Sequence, residues 1–252
     1  MLAHDRQQAI LEALKKKPSL SIHELLSLIK ASPATVRRDL AYLQKKGDLV
    51  RTHGGVVDSD HIAGEPTYEQ RLRESPAGKK AIAEAAAAMV PEGATVFIDA
   101  GTTCLEVGRL LLAREDLAVF TNSSPLVNIP IRRKARLVCV GGELREISRA
   151  MVGGLALDWL SKIRFDIAFI GASGLDGEGI STTELSEAEV KRQAMTRARQ
   201  RVLLADGSKW DVPSAFVFSP WNAFETWITD SAPAKRALGR MDKVTTKVII
   251  AK

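Results

Sequence analysis

Residues 32–47 read SPATVRRDLAYLQKKG, and this stretch decides the architecture of the first quarter of the chain. Ser32 is a good helix N-cap and Pro33 suits a first helical turn. Val36, Leu40 and Leu43 recur at helical spacing and Gly47 stops the run, so a helix is predicted from Pro33 to about Lys46. Upstream, residues 22–29 put Ile22, Leu25, Leu26 and Ile29 on one face, with Ser21 and Glu24 spaced as a capping box. Residues 5–16 put Ile10, Leu11 and Leu14 on one face of a further helix. Two short helices joined by the tight Lys30-Ala31 connection form a helix-turn-helix, in which the last helix enters the DNA major groove. Its first turns carry Ser32, Thr35, Arg37 and Arg38. Arg suits a bidentate pair with guanine, and Thr suits a base edge or a thymine methyl. Lys45 and Lys46, farther along, suit phosphates and supply salt-dependent affinity. The following DLVRTHGGVV predicts a β-hairpin turning at His53-Gly54-Gly55, a wing that places Arg51 and His53 against backbone or minor groove. Periodicity alone is also that of a small three-helix packing module with a solvated basic face.

Charge is placed unevenly. Residues 1–57 hold ten lysines and arginines against five acids, which leaves only +1 of the chain's +6 to the remaining 195 residues. A positive lobe on a near-neutral body is the footprint of a polyanion binder. No apolar run approaches the ~20 residues of a membrane span, and the N-terminus MLAHDRQQAI lacks the apolar core of a signal peptide. Two cysteines, Cys104 and Cys139, lie in apolar stretches and read as buried structural thiols, so the expected compartment is the reducing cytoplasm. The four histidines all precede residue 62, which removes imidazole catalysis and a Ser-His-Asp triad from the rest of the chain. No Cys/His cluster suggests a metal, no glycine fingerprint suggests a dinucleotide, and no cofactor is expected.

Residues 58–76 are polar, contain Gly64, Pro66 and Pro76, and read as a linker between a domain of residues 1–57 and one of residues 77–252. Tyr68, Glu69 and Arg71 suggest a short helix within it. From Gly78 on, helical patterns (79–90, 104–113, 154–163, 184–199) alternate with apolar strands (95–99, 117–121, 136–140, 167–171, 201–205, then TWIT and KVIIA). That alternation predicts a mostly parallel α/β sheet, with ligands bound beyond the carboxyl ends of its strands. The first strand runs into Asp99-Ala100-Gly101-Thr102-Thr103 and then a helix. A helix N-terminus with glycine and threonine favours an anion such as phosphate, and Lys209 supplies a cation; an ordinary Thr cap and a surface Lys would read the same way.

The stretch from Arg6 to Val57 resembles the N-terminal domain of the DeoR family of bacterial regulators, through Ser32, Thr35–Leu40, Arg51 and His53-Gly54-Gly55. The resemblance extends through Asp99–Thr103, Thr121-Asn122, Gly141-Gly142-Glu143, Met151-Val152-Gly153, FDIAFIGASGLD, Glu187–Arg192, Asp206 and Ser208-Lys209. It implies a winged helix-turn-helix joined to an α/β sensor domain similar to sugar-phosphate isomerases. It implies double-stranded operator DNA and a phosphorylated sugar effector as partners, and a repressor of a carbohydrate-metabolism operon. Asp39 would be structural, orienting a neighbouring Arg. Gly101, Thr102, Thr103 and Lys209 would meet phosphate; Asp99, Asn122, Gly141, Glu187 and Lys191 would complete the effector site. Trp210-Asp211 departs from the phenylalanine and glycine common after that lysine in relatives. A homo-oligomer, dimer or tetramer, is expected because helix-turn-helix proteins read paired half-sites. The competing reading is an isomerase-like enzyme fused to a DNA-binding lobe, with Asp99, Glu187 and Asp206 as candidate carboxylates.

Overall fold

Helical periodicity at the N-terminus becomes three helices: α1 (Ala3–Lys16), α2 (Ile22–Ile29) and α3 (Pro33–Lys46). A computed structural model of the chain describes residues 3–16, 19–29, 31–52, 55–58, 65–212, 214–232 and 246–252. They fall into two compact units, Met1–Thr67 and Tyr68–Lys252. In the first, the apolar stripes of the three helices bury Ile10, Leu14, Leu25, Ile29, Val36, Leu40 and Leu43 together. Gly47 ends α3 in the left-handed conformation (φ 81°), with its N–H on the Gln44 carbonyl and that of Asp48 on Leu43. This double bond satisfies the last helical carbonyls, and glycine adopts the turn without a Cβ penalty. The wing strands β2 (Leu49–Thr52) and β3 (Gly55–Asp58) pair antiparallel. A third strand, β1 (Ser19–Ser21), adds to the far side of β3; three residues are too few for periodicity to announce.

The second unit begins earlier than the linker reading expects. Residues 68–73 form α4 (Tyr68–Arg73) and 76–87 form α5 (Pro76–Ala87). Tyr68 is buried and its N–H donates to the Ile147 carbonyl at 2.9 Å. The short helix expected at Tyr68, Glu69 and Arg71 is present and is anchored at one end by a single aromatic; the polar composition of 58–76 concealed only that it belongs to the second unit.

Seven parallel strands form the central sheet: β4 (Thr95–Ile98), β5 (Ala118–Thr121), β6 (Arg136–Cys139), β9 (Phe165–Gly171), β12 (Ala198–Leu204), β14 (Thr226–Thr229) and β15 (Lys247–Ile250). Their order is β15-β14-β12-β9-β4-β5-β6. Val96, Ile98, Val119, Ile167, Phe169, Val202 and Leu204 face one buried layer, with α5 and α6 (Thr102–Leu111). Their alternates Phe97, Ala168, Ile170, Leu203 and Trp227 face the other, with α8 (Gly154–Ser161) and α9 (Leu185–Thr196). Burial on both faces is why these strands read as continuous apolar runs. The remaining elements are short: α7 (Ser124–Val127), the hairpin β7 (Glu143–Arg145) and β8 (Ala150–Val152), and an antiparallel sheet of β10 (Gly174–Leu175), β11 (Ile180–Thr182) and β13 (Phe216–Ser219). Cys104 is buried as expected, but Cys139 is exposed, because β6 is the edge strand of the main sheet. Among the described residues no helix is long and apolar enough to cross a membrane.

Candidate functional site

The first functional surface is the outer face of α3. Ser32 caps the helix, its Oγ accepting the Thr35 N–H at 3.3 Å and lying 2.9 Å from the Thr35 hydroxyl. Arg37, Arg38 and Lys45 are exposed, on the face opposite Val36, Leu40 and Leu43. Lys46 is exposed too, and its ammonium lies 4.9 Å from the ring centre of the exposed Tyr42. Small Ala34 and Ala41 interrupt the same face and leave its arginines prominent. Asp39 points the other way, is buried, and accepts Arg6 Nε at 2.7 Å and Gln7 Nε2 at 3.3 Å. The structural role expected of Asp39 is thus to tie α1 to α3, and its Arg partner comes from α1. His53 and the Arg51 side chain lie outside the described residues, as does the Ser21 side chain of the capping box.

The second is an open cleft at the carboxyl ends of β4, β9 and β12. After β4 the chain adds β5 and β6 on one side, then returns to lay β9 on the other side of β4. The loops following β4 and β9 therefore diverge, and the crevice opens where the strand order reverses. Gly101, Thr102, Thr103, Glu187, Lys191 and Lys209 line it, joined by Arg71, Glu74, Lys79, Ser148 and Asp206. Gly101 precedes α6 with φ 156°, and no side chain caps the first turn of that helix. A Cβ at Gly101 would meet nothing within 4 Å, so the space above the uncapped amides is open. Asp206 holds its own turn, accepting the Ser208 N–H at 3.0 Å, and thereby presents Lys209.

Charge in the cleft is organised around Lys191. Its ammonium lies 2.5 Å from Asp99 Oδ2 and 3.2 Å from the Gly171 carbonyl, with both side chains almost fully buried. The same Asp99 oxygen accepts the Gly171 N–H at 3.0 Å, so the pair ties the ends of β4 and β9 together. Burial pushes the Lys191 ammonium down, but the carboxylates of Asp99 and Glu187 outweigh it and hold its pKa above the ordinary lysine value. Glu187 shows the reverse balance: burial pushes it up, yet Lys191 and Arg145 bring it below the usual carboxylate value. Arg145 donates to Glu187 Oε1 at 2.9 Å, and the Thr182 hydroxyl to Oε2 at 3.3 Å. Lys79 is pushed down by burial and donates to the carbonyls of Arg71 and Glu74.

Three expected effector residues do not line the cleft. Asn122 is buried, its Oδ1 accepting the Ala100 N–H at 2.8 Å and its Nδ2 donating to the Met151 carbonyl at 3.4 Å. It braces the loop after β4, with both side-chain polar atoms engaged by backbone groups. Gly141 follows edge strand β6, away from the point where the strand order reverses. Asp99 acts through Lys191. Conversely, sequence reasoning passed over Glu74, Lys79 and Ser148, which belong to no motif, the last lying far along the chain from the first two. Of these, Glu74 sat inside the expected linker, where no local pattern marks it.

Residues 74–231 match the family described as DeoR C terminal sensor domain, and residues 6–61 match the DeoR-like helix-turn-helix domain. The chain is 35% identical over 232 residues to the HTH-type transcriptional regulator GlpR of Haloferax volcanii, covering 91% of each. It is 30% identical over 230 residues to the glycerol-3-phosphate regulon repressor of Escherichia coli, covering 90% of this chain and 91% of that one. Among solved structures, ribose 5-phosphate isomerase A of Methanocaldococcus jannaschii aligns with 52% of this chain and 53% of its own, at 18% identity and a TM-score of 0.37. With both of its parts matched and full-length relatives that regulate transcription, the chain belongs to the DeoR family of DNA-binding helix-turn-helix transcriptional regulators.

Proposed function

We propose that the protein represses a carbohydrate-metabolism operon and that a phosphorylated sugar, bound in the cleft of the second unit, shifts its affinity for operator DNA. The carrying observation is the convergence on one cleft of the uncapped amides of Gly101–Thr103 with Lys79 and Lys209. Free N–H groups at a helix start, together with a lysine, suit a phosphate. Glu187 and Asp206, which also line the cleft, suit hydroxyls, since carboxylates accept hydrogen bonds that a sugar donates. Asp99, Asn122 and Gly141 act behind this lining, with Asp99 fixing Lys191. In the first unit, Arg37 and Arg38 read base edges, and Lys45 and Lys46 hold phosphates. Arg51 and His53 serve the wing. The functional form is a cytoplasmic homo-oligomer on a paired site. Such control needs a ligand that binds two conformations unequally, usually by a coupling of about 1–3 kcal/mol.

Fluorescence anisotropy with DNA from upstream of the protein's own gene, repeated with sugars and their phosphates, tests this. A shift with one phosphorylated sugar and none with its unphosphorylated parent is the expected result. Tight DNA binding indifferent to every sugar phosphate would remove the account of the cleft.

A further inference from the structure

Glu74 occupies the corner between α4 and α5 and reaches into the cleft. Its Oε2 lies 3.3 Å from Lys209 Nζ. Its side chain is 46% exposed, against 20% for that of the lysine, so it has room to turn outward. The backbone of the same corner is tied down by groups of the cleft. Lys79 donates to the Glu74 carbonyl at 2.6 Å and to that of Arg71. The next residue, Ser75, holds a left-handed φ of 40°, uncommon for a residue with a Cβ. Its hydroxyl donates to Asp230 Oδ2 at 3.1 Å, while Asp230 Oδ1 accepts the Gly207 N–H at 2.9 Å, two residues before Lys209. Asp230 also packs against the start of α5, where a Cβ on Gly78 would come within 2.2 Å of its Oδ2. The corner 74–75 and the turn 206–209 thus form one clamp, closed across the cleft by Glu74 and Lys209.

We propose that Glu74 is an internal stand-in for the ligand's phosphate, occupying Lys209 until an incoming phosphate displaces it and frees the C-terminal end of α4. This rests on the cleft being a phosphate site, as argued above. A phosphate beside Gly101–Thr103 is a better partner for Lys209 than a half-exposed carboxylate, because it carries more charge and gains the helix amides as well. Two anions cannot share one lysine without repulsion, so the carboxylate swings to water. What it removes is the side-chain tie across the cleft, which loosens the corner that ends α4 and leaves it held by Lys79 and Ser75; α4 is the first element of the second unit, continuous in the chain with the segment that leads from the helix-turn-helix. Displacement at Lys209 therefore acts on the chain path through which ligand binding can reach the DNA-binding unit. An ion pair this exposed holds its partner by roughly two- to fivefold, small enough for a ligand to overcome.

The test uses the full chain and inorganic phosphate. Calorimetric titration compares wild type, Glu74→Gln, Glu74→Ala and, as a control, Glu69→Gln, which removes a carboxylate of the same helix that pairs with Arg149 at 3.2 Å outside the cleft. Both Glu74 variants are expected to bind phosphate about two- to fivefold tighter, with Glu69→Gln unchanged. Hydrogen exchange over residues 72–76 should rise when wild type is saturated with phosphate, and should already be raised in the Glu74 variants without it. If wild type binds phosphate and the Glu74 variants bind it no tighter, or exchange at the corner ignores phosphate, the stand-in role is overturned while the phosphate site survives. If no variant and no wild type binds phosphate, both fall together.

Discussion

Replacing Lys191 by Met tests the reasoning about the cleft most severely. The substitution keeps the length of the side chain and deletes a charge that sits between Asp99 and the Gly171 carbonyl. Asp99 is then left 1% exposed, with the Gly171 N–H still donating to it and the Lys191 ammonium gone. Breaking a buried pair by removing one partner costs about 3–5 kcal/mol, a large part of the roughly 5–15 kcal/mol that stabilises a domain. The sign of the pH dependence follows from Asp99. Burial already pushes its carboxyl up against the opposing pull of Lys191, and without the lysine only the Gly171 N–H opposes that push. A carboxyl whose folded pKa exceeds its unfolded value takes up a proton on folding, so stability is lost as pH rises from near 4 through the folded pKa. The penalty relative to wild type is therefore largest at high pH and shrinks as pH falls toward about 4. Urea unfolding followed by tryptophan fluorescence reads it cleanly, because all four tryptophans lie in the second unit. Three of them, Trp210, Trp221 and Trp227, form a cluster with ring centres 5.3–6.0 Å apart. The double variant Asp99→Leu with Lys191→Met should recover most of the loss, less the hydrogen bond that Gly171 N–H then lacks. A Lys191→Met penalty below about 1 kcal/mol, or one that grows on acidification, would refute the charged-pair account.

Arg37→Ala and Arg38→Ala should each cost about 1–3 kcal/mol on the specific operator and much less on random DNA in a binding titration; equal loss on both would make the residue a phosphate contact. Lys209→Ala should weaken sugar-phosphate binding in calorimetry with operator affinity nearly intact, and an unchanged effector affinity would sink its assignment. Asp39→Asn should destabilise the first unit by about 1.5–3 kcal/mol, because Arg6 loses a charge-assisted partner. It should weaken binding to every DNA sequence alike; selective loss on the operator would instead make Asp39 part of the readout.

Much of the first unit is legible in the residues themselves. Ser32, Pro33 and Gly47 bound α3 from local backbone chemistry, and the stripes of all three helices assign the core. The main strands are equally plain, since burial on two faces demands unbroken apolar runs. The boundary at Tyr68 was hidden, because one buried ring and one bond from the Tyr68 N–H to the Ile147 carbonyl anchor a helix of otherwise polar composition. The small strands β1, β7, β8, β10 and β11 were hidden because two or three residues carry no period.

The sequence by itself determined the helix-turn-helix, the alternating α/β order and the anion-favouring turn at Gly101–Thr103, all properties of neighbouring residues. Tertiary structure decided which strand ends share a cleft. The order β12-β9-β4 brings residues 101–103, 171–173 and 204–209 together and leaves the ends of β5 and β6 aside. The same placement turned Asn122 into a backbone brace, made Asp99 the partner of a buried lysine, and set Glu74 opposite Lys209 across 135 positions of chain. Contacts between distant residues depend on strand order, and strand order is set by how both faces of the sheet are buried, which no local pattern records.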